Sequence, residues 1–212
     1  MFAADRDLLI YEPHLFRDLA WAGQTLASGE ATLVGSTMEI STDPSLEERG
    51  IGPGHVVMID QIAYEILERI GSSEVIASLL RVATGDPVIP PPKMTARPAY
   101  ISTFAPQIAL AHRHVLRLLG IDPDDPAAGG ATASQVTNPR DLMRLEALGA
   151  LHLIYAAAAA AHGDEGPFAQ RAAMYQRRFA DERGRAMALL DLDHDGVADA
   201  VRRPAVAYLT RG

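Results

Sequence analysis

The first third of the chain is organised around short β-prone runs separated by Gly, Pro and Ser. Three such runs span residues 32–41, 55–70 and 73–85, and each is bounded by residues that favour tight turns. Ahead of them, apolar residues at helical spacing predict a helix over residues 15–27, with Gly29 just behind it. The N-terminal part is therefore predicted to be rich in strands.

The run over residues 55–70 is compatible with two local structures. Apolar residues alternate with their neighbours on both sides of Asp60-Gln61, which predicts two strands joined by a hairpin turn at that pair. The alternative is a helix over residues 62–70, because Glu65 and Arg69 stand four residues apart. The glycines that break the chain on either side of the run favour the strands.

The second half of the chain changes to helical spacing of its apolar residues. Helices are predicted from Phe104 to Gly120, from Asn138-Pro139 to about Ala161, and from Pro167 to about Leu190. A proline suits the first turn of a helix, because the N–H that it lacks would have no intrahelical partner there. Alanines along the last two helices allow their backbones to approach closely.

A proline-rich segment separates the two halves. Residues 85–98 hold five prolines, which excludes regular structure and predicts a linker or an extended arm. We therefore expect an α+β chain with a strand-rich N-terminal domain over residues 1–98, a three-helix bundle over residues 99–190 and an extended C-terminal arm over residues 191–212.

Composition narrows the possible chemistry. The 212 residues include no cysteine, which excludes disulfides, thiolate zinc sites and thiol nucleophiles. The net charge of −8 argues against a general nucleic-acid binder, because phosphate contacts need a dense basic surface. The acidic N-terminus predicts no secretory signal, and the longest apolar stretch, residues 151–161, is too short for a membrane span. We expect assembly in the cytoplasm.

The sharpest local motif is the acidic sequence DLDHDGVAD. Its carboxylates fall at positions 1, 3, 5 and 9 of an EF-hand calcium loop, with a glycine at position 6. Position 12, normally a glutamate ligand, is Arg202 here. Two interpretations stay open, a calcium site or an acidic connector of Asx turns that ends the third helix. The candidate ligands are Asp191, Asp193, Asp195 and Asp199.

No catalytic motif is found in the sequence. HExxH, GxSxG, Walker A and the dinucleotide-binding glycine pattern are all absent. His112 and His114 stand two residues apart, which on a helix directs them to different faces and disfavours a shared metal ion. We therefore expect a protein that is not an enzyme. A hydrolase that uses His112, His114 or His152 is the enzymatic alternative.

The C-terminal residues are predicted to dock on a partner. Basic side chains alternate there with apolar ones, and the segment is too short to form a core of its own. Residues 205–209 are typical of a strand that adds to a neighbouring sheet, the alternative being a frayed terminus. The candidate contact residues are Val201, Arg202, Arg203, Val206, Tyr208 and Leu209.

The order of the C-terminal elements resembles one known family. A long Ala/Leu-rich helix, the helix FAQRAAMYQRRFADERGRAMALLDLD and then DGVADAVRRP are similar to the C-terminal half of the head-to-tail adaptor proteins of siphophages and gene transfer agents. The segments GIGPGHVVMID and TFAPQIALAHRHVLRLLGI extend the resemblance to roughly residues 1–204. The strand-rich N-terminal part departs from the small members of that family, which are nearly all helical.

The resemblance implies a structural role in the neck of a virion. Proteins of this family form a dodecameric ring below the portal protein, with a stopper or tail-terminator protein on the other side and a C-terminal arm that extends into the portal. DNA passes through the channel of the ring without specific binding. An acidic channel wall suits that role, because like charges suppress contacts with phosphates. No membrane partner and no cofactor are expected, except calcium in the alternative interpretation.

Overall fold

The chain folds into two units. The computed structural model describes residues 1–121, 123, 131–163 and 166–204. One unit is formed by Ala4–Ala105, and the other by Met1–Ala3 together with Pro106–Gly212. The first unit is dominated by strands and the second by helices, so the predicted α+β class is confirmed.

Six antiparallel strands of the first unit close into a barrel in the order β1-β2-β5-β4-β3-β6. Each strand therefore has two neighbours, and the barrel leaves no unpaired sheet edge. The strands are β1 (Gln24–Val34), β2 (Thr37–Ser41), β3 (Val56–Ile59), β4 (Ile62–Arg69), β5 (Glu74–Leu79) and β6 (Met94–Thr103).

The interior of the barrel is filled with apolar side chains. Alternate residues of each strand point inward, which is the period that a strand imposes on its two faces. A filled interior is a packed core and leaves no channel through a barrel of this size. The largest fully buried side chains of this core belong to Leu33, Met38, Ile40 and Tyr64 on the strands and to Leu46 in the loop after β2.

The hairpin predicted at Asp60-Gln61 is confirmed. β3 ends at Ile59 and β4 begins at Ile62, so the turn has two residues. Asp60 and Gln61 both have positive φ angles, 49° and 67°, as a type I′ turn requires. The alternative helix over residues 62–70 is wrong, because those residues pair with β3 on one side and β5 on the other.

The helix predicted over residues 15–27 is wrong over most of its length. Two short helices, α1 (Asp5–Leu9) and α2 (Leu15–Asp18), precede one turn of 3₁₀ helix, and β1 then begins at Gln24. Pairing with β6 overrides the local helical spacing, because a closed barrel needs this strand. Gly29 is not a helix stop. A Cβ atom there would lie 1.9 Å from the carbonyl oxygen of Ser41, so only glycine permits this approach to the end of β2.

The predicted linker over residues 85–98 does not divide the chain. β6 begins at Met94 and continues to Thr103, so the predicted boundary at residue 98 lies within a strand of the barrel. Pro98 pairs in register with β1, whereas β3 contacts β6 only from Ala99 onward. Proline has no backbone N–H to donate to a neighbouring strand. At Pro98 the strand tolerates this, because the pairing between β3 and β6 does not extend to that residue.

The second unit contains the three predicted helices. They are α3 (Ala105–Leu118), α4 (Pro139–His162) and α5 (Pro167–Arg183). The starts of α4 and α5 at Pro139 and Pro167 are confirmed. The predicted end of the third helix is wrong, because Ala188–Leu190 form strand β7, which pairs with β8 (Ala200–Arg202).

Helix α4 is the centre of the second unit. Half of its 24 residues are buried, on several faces of the helix. By length and composition alone this helix is apolar enough to cross a bilayer, but 67% of its most apolar window is buried inside the protein. A helix that is apolar on most faces and covered by other elements is typical of a core. Its neighbours in the core include Val115, Leu116, Leu119, Ala188 and Leu190.

Candidate functional site

The acidic motif forms the turn of a hairpin. It joins β7 to β8, which pair through Ala188 with Arg202 and Leu190 with Ala200. The sequence interpretation in which the motif ends a long helix is therefore wrong, because α5 ends before β7 begins. The turn is a connection between two strands, and its ends are held together by their pairing.

Three carboxylates of this turn converge. One oxygen from each of Asp191, Asp193 and Asp195 lies within 4.8 Å of the others. Asp191 is buried, whereas Asp193 and Asp195 are exposed. Within the part of the chain that the structure describes, this is the one group of three or more His or acidic side chains that meets this distance.

Backbone N–H groups hold the carboxylates in place. Asp191 Oδ2 accepts a hydrogen bond from Gly196 at 2.9 Å, and Asp195 Oδ1 accepts one from Val197 at 2.7 Å. Burial alone would raise the pKa of Asp191, but hydrogen bonds from the backbone N–H groups of Gly196, His194 and Asp195 hold that pKa below its usual value. Asp191 is therefore ionised at neutral pH.

The remaining predicted ligand, Asp199, closes the turn from the other side. Its Oδ2 atom accepts a hydrogen bond from the backbone N–H of Leu192 at 2.8 Å, and its own N–H donates to Leu190 at 2.8 Å. Arg202 is directed elsewhere, since its Nη1 atom donates to the carbonyl oxygens of Leu119 and Gly120. The positive charge at position 12 thus contacts the end of α3.

The hairpin is fixed to the helical unit at several points. Thr137 N donates to the carbonyl oxygen of Leu189 at 2.9 Å, and Asp191 N donates to that of Gln135 at 2.9 Å. Val136 forms a β-bridge with Leu190. The root of the predicted arm is therefore anchored.

The predicted arm residues divide into two groups. Val201, Arg202 and Arg203 are described; Val201 is 59% exposed and Arg203 is exposed, while Arg202 makes the contacts with α3 given above. Val206, Tyr208 and Leu209 lie outside the described residues. The root of the arm thus presents one apolar and one basic side chain to solvent.

The histidines considered as catalytic candidates have separate surroundings. His112 Nδ1 lies 2.7 Å from Glu146 Oε2, and its ring contacts the edge of the Phe2 ring. His114 lies on another face of α3, with its ring 5.7 Å from that of Phe179. Among the described residues, no Ser or Thr hydroxyl is hydrogen-bonded to His112 or His114. Neither histidine therefore forms the hydrogen-bonded Ser–His or Thr–His pair that activates a nucleophile.

Glu146 is a functional group that the sequence interpretation missed. Its side chain is fully buried in α4, and its carboxylate also accepts hydrogen bonds from the backbone N–H groups of Phe2 and Ala3. The first three residues are thereby bound to the helical unit. The available signal was the presence of one acid within the apolar stripe of a helix that is otherwise buried.

A groove of about 530 Å³ lies among α3, α4 and α5. Burial, reinforced by the charges of Arg183 and Arg117, lowers the pKa of His114 at its rim. His152 Nδ1 lies 3.1 Å from the carbonyl oxygen of Ala172 and donates a hydrogen bond to it. The groove is an apolar surface with a basic rim. Its walls include Leu110, Leu153 and Phe179, with His114, His152 and Arg183 beside them.

The barrel unit contains a buried cluster of charges. Glu65 Oε2 accepts a hydrogen bond from Arg6 Nε at 2.7 Å, and Glu65 Oε1 accepts one from Arg81 Nε at 2.6 Å. Arg6 also pairs with Asp7 at 2.8 Å. Burial raises the pKa of the neighbouring Asp5, although hydrogen bonds from Thr103 and Phe104 oppose that change. All charges of the cluster have partners, which is typical of a structural network.

Comparison with known proteins finds no matching family model, no matching curated protein and no matching solved structure.

Proposed function

We propose that this chain is a non-enzymatic structural subunit of a tailed-phage particle, namely a head-to-tail adaptor that binds the portal protein. The observation that supports the proposal is the anchored hairpin of β7 and β8, from which the proposed C-terminal arm would extend. β8 is held by β7, by the β-bridge between Val136 and Leu190 and by the bonds of Arg202 to the end of α3. A segment that leaves a fixed hairpin starts in a defined direction, which lowers the entropic cost of docking.

The proposed assembly follows from the family that the sequence resembles. The helices α3, α4 and α5 would form the bundle of each subunit, and twelve subunits would form a ring in the virion neck. The arm, with Val206, Tyr208 and Leu209, would contact the portal protein, and a stopper or tail-terminator protein would bind the opposite side. A closed barrel without a free edge suits a subunit that has to avoid unspecific strand pairing during assembly in the cytoplasm.

The distribution of charge supports a role beside DNA. Residues 1–105 contain 14 acidic and 7 basic side chains, whereas residues 106–212 contain 13 acidic and 12 basic ones. The first part therefore accounts for −7 of the net charge of −8. If this part faces the channel, its charge repels phosphates and allows DNA to pass without adhering.

Removal of residues 205–212 is expected to abolish attachment to the portal. This truncation keeps β8 and the contacts of Arg202, so the helical unit stays folded. The measurement is native mass spectrometry of the chain mixed with the portal protein encoded in the same genome. The intact chain should give a mixed species of fixed stoichiometry, and the truncated chain should give none.

A matched control replaces residues 205–212 by eight Gly and Ser residues. It restores the length without the apolar and basic side chains, and it too should fail to bind. Attachment of the truncated chain at the stoichiometry of the intact one would contradict the role of the arm. An intact chain that never joins the portal would contradict the adaptor function itself.

A second candidate function is a calcium-binding structural module. It is favoured by the convergence of Asp191, Asp193 and Asp195 in a turn whose ends are fixed by strand pairing. The motif joins two strands, so it differs from an EF-hand, and Arg202 stands where an EF-hand has its glutamate ligand. Asp199, at position 9, does not belong to this group of three and accepts a hydrogen bond from the backbone N–H of Leu192. Calcium takes six to eight oxygen ligands, so backbone carbonyls and water would complete the set.

Calcium is expected to raise the melting temperature if this second function is correct. A ligand that binds only the folded state stabilises it by about 2.7 kcal/mol at a concentration of 100 times Kd. The double variant Asp193→Asn, Asp195→Asn should lose this effect, because it removes two of the three negative charges that would bind the ion. The turn itself should persist, because both side chains are exposed and Asp191 still accepts the hydrogen bond from Gly196. Asp181→Asn, an exposed acid on α5, is the control. The same calcium response in the double variant would contradict this site.

A further inference from the structure

The groove among α3, α4 and α5 is lined by apolar side chains that the described residues cover only in part. Leu110 on α3 is 57% exposed, and Leu153 on α4 and Phe179 on α5 are half-buried. A Cβ atom at Gly149 would lie 3.1 Å from the Phe179 ring, so the glycine lets this ring pack close to α4. The groove, of about 530 Å³, has room for large side chains, and covering it with an apolar segment is favourable.

One polar group of the groove favours a particular kind of side chain. His152 lines the groove, and its Nδ1 atom donates a hydrogen bond to the carbonyl oxygen of Ala172 at 3.1 Å. In the neutral ring the Nε2 atom is then left as a hydrogen-bond acceptor. A tyrosine side chain suits both features, because its ring covers apolar walls and its hydroxyl group donates to such a nitrogen.

The described part of the chain ends near this groove. β8 runs antiparallel to β7 with Arg202 opposite Ala188, so the residues after Arg202 run back toward the end of α5. The side chain of Arg202 is bonded to the carbonyl oxygens of Leu119 and Gly120 at the end of α3. Pro204, which is buried, follows two residues later. The chain therefore leaves its described part near the ends of α3 and α5, two of the helices that line the groove.

Residues 205–212, which follow Pro204, are long enough to enter the groove. An extended chain covers about 3.3 Å per residue, so this segment spans up to about 26 Å. The part of α5 that lines the groove, from Gln176 to Arg183, is about 10 Å long at a helical rise of about 1.5 Å per residue. About half of the segment therefore suffices to cross the groove from the end at Arg183.

The sequence of residues 205–209 is complementary to the groove. It reads Ala-Val-Ala-Tyr-Leu, which provides apolar side chains and one tyrosine hydroxyl. No residue of it is charged, so covering it removes no ion from water. A segment tethered beside its site has an effective concentration on the order of millimolar, far above that of a second copy in dilute solution. These features favour the same chain as the occupant.

We propose that residues 205–209 occupy the groove of their own chain before any partner binds. Tyr208 and its neighbours cover the exposed surface of Leu110 and Phe179, and the Tyr208 hydroxyl group donates to Nε2 of His152. The inference concerns the free chain and does not rest on the adaptor function. In an adaptor, the portal protein would compete with the groove for these residues.

The test attaches a nitroxide spin label to the full chain at Thr210→Cys. Because the chain has no cysteine of its own, the label reacts at this position alone. The NMR signals of the Leu110 and Leu153 methyl groups should lose most of their intensity and regain it when ascorbate reduces the label. The matched control carries the same label together with Tyr208→Ser and Leu209→Ser. It keeps the length of the segment but not its large side chains, so both signals should keep their intensity.

Dilution and mixing identify the occupant. A loss of intensity that is unchanged on tenfold dilution supports an occupant from the same chain. A loss that weakens on dilution, or that appears on methyl-labelled chains mixed with separate spin-labelled chains, would assign the groove to a second copy and overturn the proposal. Equal intensities of Leu110 and Leu153 in the test chain and its serine control would overturn it as well. No portal protein is present in these measurements, so a negative result leaves the adaptor function to its own test.

Discussion

Replacement of Glu65 by Gln is expected to lower the free energy of unfolding of the barrel unit by about 3–5 kcal/mol. Glu65 is buried and lies between the guanidinium groups of Arg6 and Arg81, with N–O distances of 2.7 Å and 2.6 Å. Gln keeps the shape of the side chain but removes its charge. Arg6 would then keep only its ion pair with Asp7, and Arg81 would have no ion pair among the described residues.

Urea denaturation followed by the fluorescence of Trp21 measures this effect, because the only tryptophan of the chain belongs to the barrel unit. Glu47→Gln is the matched control. Glu47 pairs with Arg69 at 3.9 Å, and its side chain is 67% exposed, so its loss should cost less than about 1 kcal/mol. Equal, small effects of the two substitutions would show that the buried cluster contributes little to the stability of the barrel.

Replacement of Glu146 by Leu is expected to destabilise the helical unit by about 3 kcal/mol or more. Leu fills the same space but accepts no hydrogen bond. The backbone N–H groups of Phe2 and Ala3 and the Nδ1 atom of His112, now bonded at 2.7–3.1 Å, would lose their common acceptor. Glu146→Gln retains one acceptor oxygen and should have a smaller effect in the same direction.

Amide hydrogen exchange provides the direct measurement. Terminal residues normally exchange freely, so protection of the Phe2 and Ala3 amides in the unaltered chain reports on their bonds to Glu146. Both amides should lose that protection in Glu146→Leu. Glu182→Gln, which removes the ion pair with Arg144 at 3.1 Å, should leave it intact. Phe2 and Ala3 amides that exchange freely in the unaltered chain would refute the assigned contact.

Local sequence signals located several elements correctly. The turn at Asp60-Gln61 follows from alternation on both sides of a polar pair, and the starts of α4 and α5 follow from prolines that suit only the first turn of a helix. These signals act over a few residues and depend little on the rest of the chain. The elements that they predict are therefore present in the folded protein.

Elements whose local signal competes with distant pairing were predicted wrongly. Residues 24–27 have helical spacing but form β1, and residues 188–190 continue a helical pattern but form β7. In both places the hydrogen bonds to a remote strand, β6 or β8, replace those of a helix. These pairing partners lie 10 to 79 residues away in the sequence, so the spacing of neighbouring residues does not indicate them.

The sequence by itself determined the α+β class, the absence of thiol chemistry, the acidic balance and the Asp motif with its spacing. Only the tertiary structure decided that the motif closes a hairpin and that Glu65 and Glu146 are buried among hydrogen-bond donors. The physical reason is that residue type and spacing fix local conformation and charge. Burial and hydrogen-bond partners, in contrast, are set by segments far apart in the chain, and these partners decide what a charged or hydroxyl group contributes.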